Sequence, residues 1–507
     1  MQAALSRKKL LNRLKAQLKQ PEIKFAVAHY AQFERGFLVD FFKPSRLPFE
    51  LICTCQIAKR LFPDLPSRAI RAVCGYLGQS IEEEKRSASH VQATAFIWRE
   101  LIERLESEAG ISDLEQLLQF LSAPLPKAVK EKSSAYNLPL ERLKLKELPP
   151  KPGIYRMISK QGKVLYVGKA TRLKDRVKSY FTGRKGKSGK IKELISQIHD
   201  FQFQVVATPL EAALLETDEI KRLDPPYNRQ LRSRYRELRF YDRDFSAYSL
   251  VQSEEFYLGP FVSDALTPFL ELADAFRNAA FEESIFFNLA ELSVIKDGVA
   301  LFLETNGLDI ENLSPRQLLA LGLSFYRAHL NAVRAEARVA LVNSAASRID
   351  SLADPSQSLE SIQDGEKFLE QENLEQEDLS KDLEDEDLEE EVMDAEQIAE
   401  MIEGMLTGCA RLYRQSKLLS RLLNSQIYFN ENGQDRLIKI SQGETLVEAA
   451  SLKLPPGKVL LEVPDSQLLK GANPWSGLDI SDFDRLRVLC TELNRISGIG
   501  ASLGPFY

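Results

Sequence analysis

Metal-ligating residue types are scarce in this chain, which has five cysteines and four histidines in 507 residues. Cys53, Cys55, Cys74, Cys409 and Cys490 show neither CxxC pairs nor an even framework, which argues against a zinc ribbon and a disulfide scaffold. Such thiol usage fits a reducing cytoplasm. Long apolar runs are missing too. No stretch approaches the roughly 18 residues that read as a membrane span. The opening MQAALSRKKLLNRLKAQLKQ lacks the apolar centre of a signal peptide and reads as an amphipathic helix, so no membrane partner is expected.

Positive charge is also lacking on average. The formal net charge is -6, which taken alone argues against nucleic acid. The deficit is local, however. Residues 351–400 hold 20 Asp+Glu against two lysines, a charge of -18, so the other 457 residues carry +12. Residues 151–240 hold 21 Lys+Arg against nine Asp+Glu, which equals that surplus. A positive field focused on one small unit points to a phosphate backbone as its ligand.

The pattern along the chain predicts a multidomain α/β protein. Residues 1–122 read as mostly helical around one short strand, Lys24–Ala28. A Pro- and Lys-rich linker at 123–147 leads to a small α/β unit at 148–231 with a short antiparallel sheet. Its order is hairpin, helix, helix, strand, helix, stopping at Asp224-Pro225-Pro226. Residues 232–350 read as an α+β region ending in a long helix, with Leu258-Gly259-Pro260-Phe261 as a turn. The acidic stretch 351–394 is expected to be a disordered loop, because its charges repel and it has few apolar groups to bury. Residues 395–507 read as a long helix, which pairs with the one before the loop, and a small α+β region. That region has strands at Gln426–Phe429, Arg436–Ile440 and Lys458–Val463 and a last helix from Asp482 to Asn494.

The chemistry is concentrated in the basic unit. Gly153-Ile154-Tyr155 and Tyr166-Val167-Gly168 sit on two β-prone segments joined by Ser159-Lys160-Gln161-Gly162, a tight-turn sequence. Folding that hairpin brings Tyr155 and Tyr166 together. The segment Lys169–Tyr180 reads as a helix, on which Lys169, Arg172, Arg176 and Tyr180 form a stripe starting beside the tyrosines. Farther on, LEAALLETDEIKRL is an amphipathic helix with Glu216 in its middle, and Pro225-Pro226-Tyr227-Asn228 makes a rigid exit.

The pieces PGIY, VLYVGKA, RVKSYF, EAALLE and PPYN, in this order, resemble the GIY-YIG nuclease family. They are most similar to its branch formed by the excision-repair protein UvrC and the shorter homologue Cho. The resemblance implies a phosphodiesterase that nicks one DNA strand near lesions or distortions. It makes Glu216 the ligand of one Mg²⁺ or Mn²⁺, and a single carboxylate suits a hard cation that keeps several waters. It makes Tyr166 the general base, with Arg176 and Lys169 stabilising charge on the phosphate. Tyr155, Tyr180 and Asn228 become positioning members of the catalytic set, and Arg172, Lys174, Arg184, Lys185 and Lys187 become DNA contacts. The implied partners are double-stranded DNA and damage-recognition proteins of the UvrA and UvrB type, in a bacterial cytoplasm. Two rivals are a non-catalytic DNA-binding adaptor and a structure-specific nuclease outside repair.

The first unit carries a second resemblance. Residues 26–38, AVAHYAQFERGFL, and 85–94, KRSASHVQAT, are similar to the second and third motifs of DnaQ-type DEDD exonucleases, which implies a partial RNase-H-like fold. That family needs about four carboxylates for two-metal chemistry. Here the aligned acidic positions hold Glu34 and His90, the base position holds Lys85, and the first motif has no counterpart. The expectation is therefore a degenerate domain without exonuclease activity, in which His29, His90 and Lys85 are leftover or structural residues.

Overall fold

The computed structural model describes residues 7–17, 24–42, 47, 49–81, 87–125, 147–181, 187–228, 236–278, 280–281, 290–309, 313–351, 393–441, 443–462 and 474–497. Most of the expected linker, nearly all of the acidic loop, and Lys85, Arg184 and Lys185 lie outside the described residues.

The chain opens with α1 (Arg7–Gln17), β1 (Phe25–Ala28), α2 (Ala31–Phe42), β2 (Glu50–Cys53), α3 (Thr54–Leu61), α4 (Ile70–Leu77), α5 (Ser87–Ala109) and α6 (Leu114–Ser122). One strand is expected here, and two are found, paired in parallel from Phe25–Glu50 to Ala28–Cys53. β2 runs straight into α3 with no turn residue between them, which hides its end in the sequence. Ile52, Ile57, Val73, Ile97 and Leu101 form the core of this unit.

The basic unit follows in the expected order, with β3 (Gly153–Ile158), β4 (Val164–Ala170), α7 (Leu173–Phe181), α8 (Gly189–Gln197), β5 (Asp200–Val205) and α9 (Pro209–Leu223). Its antiparallel sheet has the order β4-β3-β5. The β3–β4 turn closes with the Gly162 N–H donating to the Ser159 carbonyl at 2.9 Å, and Gly162 takes φ +81°, where a side chain would be strained. α9 starts where the Thr208 hydroxyl accepts the Glu211 N–H at 3.2 Å, with Pro209 in its first turn. It ends at Asp224 in a left-handed conformation, just before two prolines.

Next come β6 (Leu238–Tyr241), β7 (Tyr248–Ser249) and β8 (Leu258–Val262), in the order β7-β6-β8. Leu258–Phe261, expected as a turn, lies in β8. This is an edge strand, where proline costs the ladder no hydrogen bond. Helices α10 (Thr267–Asn278), α11 (Leu292–Thr305), α12 (Pro315–Ser351) and α13 (Ala395–Leu422) share a second core with β8, built from Phe261, Phe269, Leu272, Phe302, Leu318 and Ile402.

The chain then forms β9 (Gln426–Glu431), β10 (Gln434–Ser441), β11 (Glu444–Ala449), β12 (Val459–Glu462) and α14 (Ile480–Ile496). Three strands are expected here, and a fourth, β11, lies at the edge of the order β11-β10-β9-β12. Its residues are exposed or half-buried, so its sequence ETLVEA carries little apolar signal. α14 begins with a capping box in which the Asp479 and Asp482 side chains each accept the other's backbone N–H.

The basic unit is docked on two sides. Arg71 of α4 pairs with Glu193 of α8 at 3.5 Å, and the Ser67 N–H donates to Ser196 Oγ at 3.0 Å. On the other side α9 shares a core with α13, the last sheet and α14, through Leu210, Leu214, Leu419, Phe429, Leu486 and Leu489. Among the described residues no helix is long and apolar enough to cross a membrane.

Candidate active site

The β3–β4 register sets Tyr155 opposite Gly168 and Met157 opposite Tyr166. Tyr155 and Tyr166 are thus diagonal neighbours on one face of the sheet, their ring centroids 6.1 Å apart. Tyr180 of α7 closes the group at 6.0 Å from Tyr155 and 6.4 Å from Tyr166, and its hydroxyl meets that of Tyr155 at 3.0 Å. Gly168 makes this possible. A Cβ there would overlap the Tyr155 hydroxyl and lie 2.8 Å from Cε1 of Tyr166.

Tyr155 is fully buried. Burial raises its pKa well above 10, and Tyr180 and Tyr166 push the same way, while Arg176 opposes. Tyr155 therefore stays protonated at neutral pH. Arg176 lies 5.5 Å from the centre of the Tyr180 ring, one helical turn before it. Burial lowers its pKa, but Tyr155, Tyr180, a hydrogen bond to Tyr155 and Tyr166 together hold it above the ordinary arginine value. The group thus contains a permanently charged guanidinium.

Lys169, expected on a helix, lies in β4. The helix α7 starts only at Leu173, so the four-residue stripe is not one helical face. The strand placement has two consequences. The Lys169 N–H donates to Glu216 Oε1 at 2.9 Å, which fixes the carboxylate of α9 beside the sheet. The Lys169 ammonium meets Glu492 of α14 at 2.6 Å. Glu492 was not among the expected site residues, because 323 positions separate it from Lys169 and no local pattern marks it.

Glu492 is buried, and burial alone would raise its pKa. Lys169 and Arg495 together lower it, so it is held as a carboxylate. Arg495 bonds Glu492 Oε2 at 2.8 Å and also pairs with Glu431, whose other oxygen accepts the Leu210 N–H at 3.1 Å. The same helix offers Asp484, fully buried, to Lys221 at 2.6 Å and to both terminal nitrogens of Arg236 at 2.8 and 3.0 Å. Part of the basic surplus of residues 151–240 is therefore committed to inter-unit ion pairs and does not face outward.

Asn228 is buried and bonds the Val167 backbone in both directions, Oδ1 accepting at 2.9 Å and Nδ2 donating at 2.8 Å. Its amide pins β4 beside Tyr166. Arg172 is exposed and pairs with Asp175, and Lys174 is exposed. The Lys187 ammonium folds back onto the Tyr180 carbonyl, and burial lowers its pKa. In the first unit the expected residues lie on different elements. Glu34 and His90 are exposed on separate helices. His29 is buried, with Nδ1 at 2.8 Å from Thr54 Oγ1 and Nε2 at 2.8 Å from the Arg68 carbonyl.

Among the described residues no three or more His, Cys, Asp and Glu side chains group to hold a metal. Glu216, outside any such group, fits an ion such as Mg²⁺ that keeps most of its waters better than a cage made of protein ligands alone.

The family described as the UvrC-like GIY-YIG domain matches residues 151–229. UvrABC system protein C of Thermoanaerobacter sp. (strain X514) is 48% identical over 85 residues, 17% of this chain and 14% of that protein. The same figures hold for UvrABC system protein C of Thermoanaerobacter pseudethanolicus (strain ATCC 33223 / 39E). The matched part thus spans about one seventh of these curated relatives. A solved structure, the GIY-YIG N-terminal endonuclease domain of UvrC from Thermotoga maritima bound to magnesium as its catalytic divalent cation, is 33% identical. It covers 17% of this chain and 91% of that one, with a TM-score of 0.15. By the family match and the identity to the UvrC proteins, residues 151–229 of this chain are a UvrC-like GIY-YIG domain.

Proposed function

We propose that the protein is a Mg²⁺-dependent DNA endonuclease, with Mn²⁺ as an alternative ion, that nicks one strand near lesions or distortions in an excision-repair-type pathway. The observation that carries this reading is the convergence of Tyr155, Tyr166, Tyr180 and Arg176 beside a carboxylate, Glu216, bonded to the Lys169 backbone. Tyr155, protonated and locked to Tyr180, orients the group and does not act as base. Tyr166, half-buried at its edge, would take the proton of the attacking water. The Arg176 guanidinium would hold charge developing on the phosphate, and Asn228 keeps the Tyr166 strand in place. Glu216 would hold the single cation, which supplies Lewis acidity toward a phosphate oxygen.

Partners of the UvrA and UvrB type and a damaged duplex as substrate belong to the same reading, as does a first unit, 1–122, without exonuclease activity. Glu34 and His90, both exposed and carried on different helices, support that last point. Purified protein with Mg²⁺ should nick a duplex carrying one bulky adduct in preference to an undamaged control, with UvrA and UvrB added or left out. Tyr166→Phe should lower kcat by about 10²–10⁴-fold, the usual range for losing a general base, and Glu216→Gln should abolish nicking. Wild-type-like nicking by Glu216→Gln would refute the site, and no nicking by the wild type under any condition would favour a DNA-binding adaptor.

A further inference from the structure

Lys169 is held at both ends. Its N–H bonds Glu216 of α9, and its ammonium bonds Glu492 of α14. Glu492 bonds Arg495, Arg495 bonds Glu431, and Glu431 accepts the N–H of Leu210, back in α9. These contacts close a ring that starts and ends on the helix carrying Glu216. The two carboxylates in its second half are almost inaccessible: Glu492 is 7% and Glu431 4% exposed, whereas the Lys169 side chain, at the site, is 39% exposed. Each buried charge thus has a charged, hydrogen-bonded partner, which is the condition under which buried ions form a rigid frame.

We propose that Glu492 is a positioning residue for Lys169, so that the C-terminal helix α14 completes the nuclease site. The proposal rests on reading residues 151–229 as that site. A lysine side chain has four rotatable bonds, and an ammonium free to sample them would seldom sit where a phosphate oxygen needs it. Glu492 removes that freedom while the Lys169 side chain stays 39% exposed. Misplacing a positioned group by about 1 Å costs on the order of 100-fold in rate, so the clamp should act on kcat more than on substrate binding.

The test uses the full chain and a Mg²⁺-dependent nicking assay on duplex DNA. Glu492→Ala should lower kcat by about 10- to 100-fold with KM for DNA changed by less than about twofold. Glu492→Gln, isosteric and still carrying an acceptor oxygen, should retain more of kcat than Glu492→Ala. Asp484→Asn is the control for docking, because it weakens the ion pairs of the same helix with Lys221 and Arg236 and does not touch Lys169. It should lower Tm at least as much and leave kcat near the wild-type value. A metal-free readout accompanies these assays. Amine acylation followed by mass spectrometry should label Lys169 several-fold faster in Glu492→Ala than in the wild type or Asp484→Asn. Wild-type or faster nicking by Glu492→Ala, a loss of kcat in Asp484→Asn equal to that in Glu492→Ala, or equal labelling of Lys169 in all three proteins would each overturn the proposal. A wild-type protein that nicks nothing would instead overturn the nuclease reading, and the labelling would still decide whether the clamp exists.

Discussion

The units at 24–122 and 151–229 both set short strands against helices, but they differ in what they place beside those strands. In the first, the buried polar residue next to β1 is His29, with both ring nitrogens engaged by Thr54 and the Arg68 backbone. In the second, the residues beside the sheet are three tyrosines and an arginine packed together, and a half-buried carboxylate bonded to the Lys169 backbone of the same hairpin. The first arrangement satisfies its polar atoms internally. The second keeps its charges at the edge of a core and shares them with neighbouring elements. A motif thus becomes a candidate site only where packing brings its polar ends together and leaves them partly exposed.

The strongest way to break this contrast is to disturb the tyrosines. Gly168→Ala puts a methyl group into the space of the Tyr155 hydroxyl, which is buried and bonded to Tyr180. Overpacking of this kind costs about 1–3 kcal/mol. A lower Tm and at least a tenfold loss of nicking are expected, and a fully active Gly168→Ala protein would show that the tyrosine geometry is not needed.

A smaller effect should expose the structural role of His29. Burial lowers its pKa below the ordinary 6.5, partly offset by the bond to the Arg68 carbonyl, with His90 adding to the lowering. The native state then binds fewer protons than the unfolded chain. The contribution to stability is complete above 6.5 and is lost as the pH falls through the lower native value. Tm should therefore drop by a few degrees between about pH 7 and about pH 5. In His29→Gln, which has nothing to titrate at this position, that part of the drop should vanish. An identical pH dependence in the two proteins would remove His29 from the account.

The smallest effect should come from Glu34→Ala combined with His90→Ala. Both side chains are exposed, and surface changes of this kind usually stay within about 0.5 kcal/mol. Nicking should stay within about twofold of the wild type, and a large loss would return the first unit to the chemistry.

Much of the basic unit was legible because its signals are local. Gly162 needs its left-handed turn, Thr208 and Pro209 start α9, and Asp224 with two prolines stops it, so the order of elements follows from neighbouring residues. The pairing of Tyr155 with Tyr166 was legible for the same reason, since a hairpin with a short turn has few possible registers. Lys169 was misplaced because Lys169-Ala170 run on into the helix-forming RLKDRVKSY without a breaker, and only pairing with β3 decides that residues up to Ala170 are strand. β2 and β11 were missed for a related reason, since one lacks a boundary residue and the other lacks an apolar face.

The sequence by itself determined the residue types of the site, their order, and a basic surplus confined to residues 151–240. It could not say where that charge points. Only the tertiary structure decided that Lys221 and Arg236 turn inward to Asp484 and that Lys169 is held by Glu492. The physical reason is that an ion pair is set by distance in space and by shared burial. Residues more than two hundred positions apart meet only because the core shared by α9 and α14 brings them together.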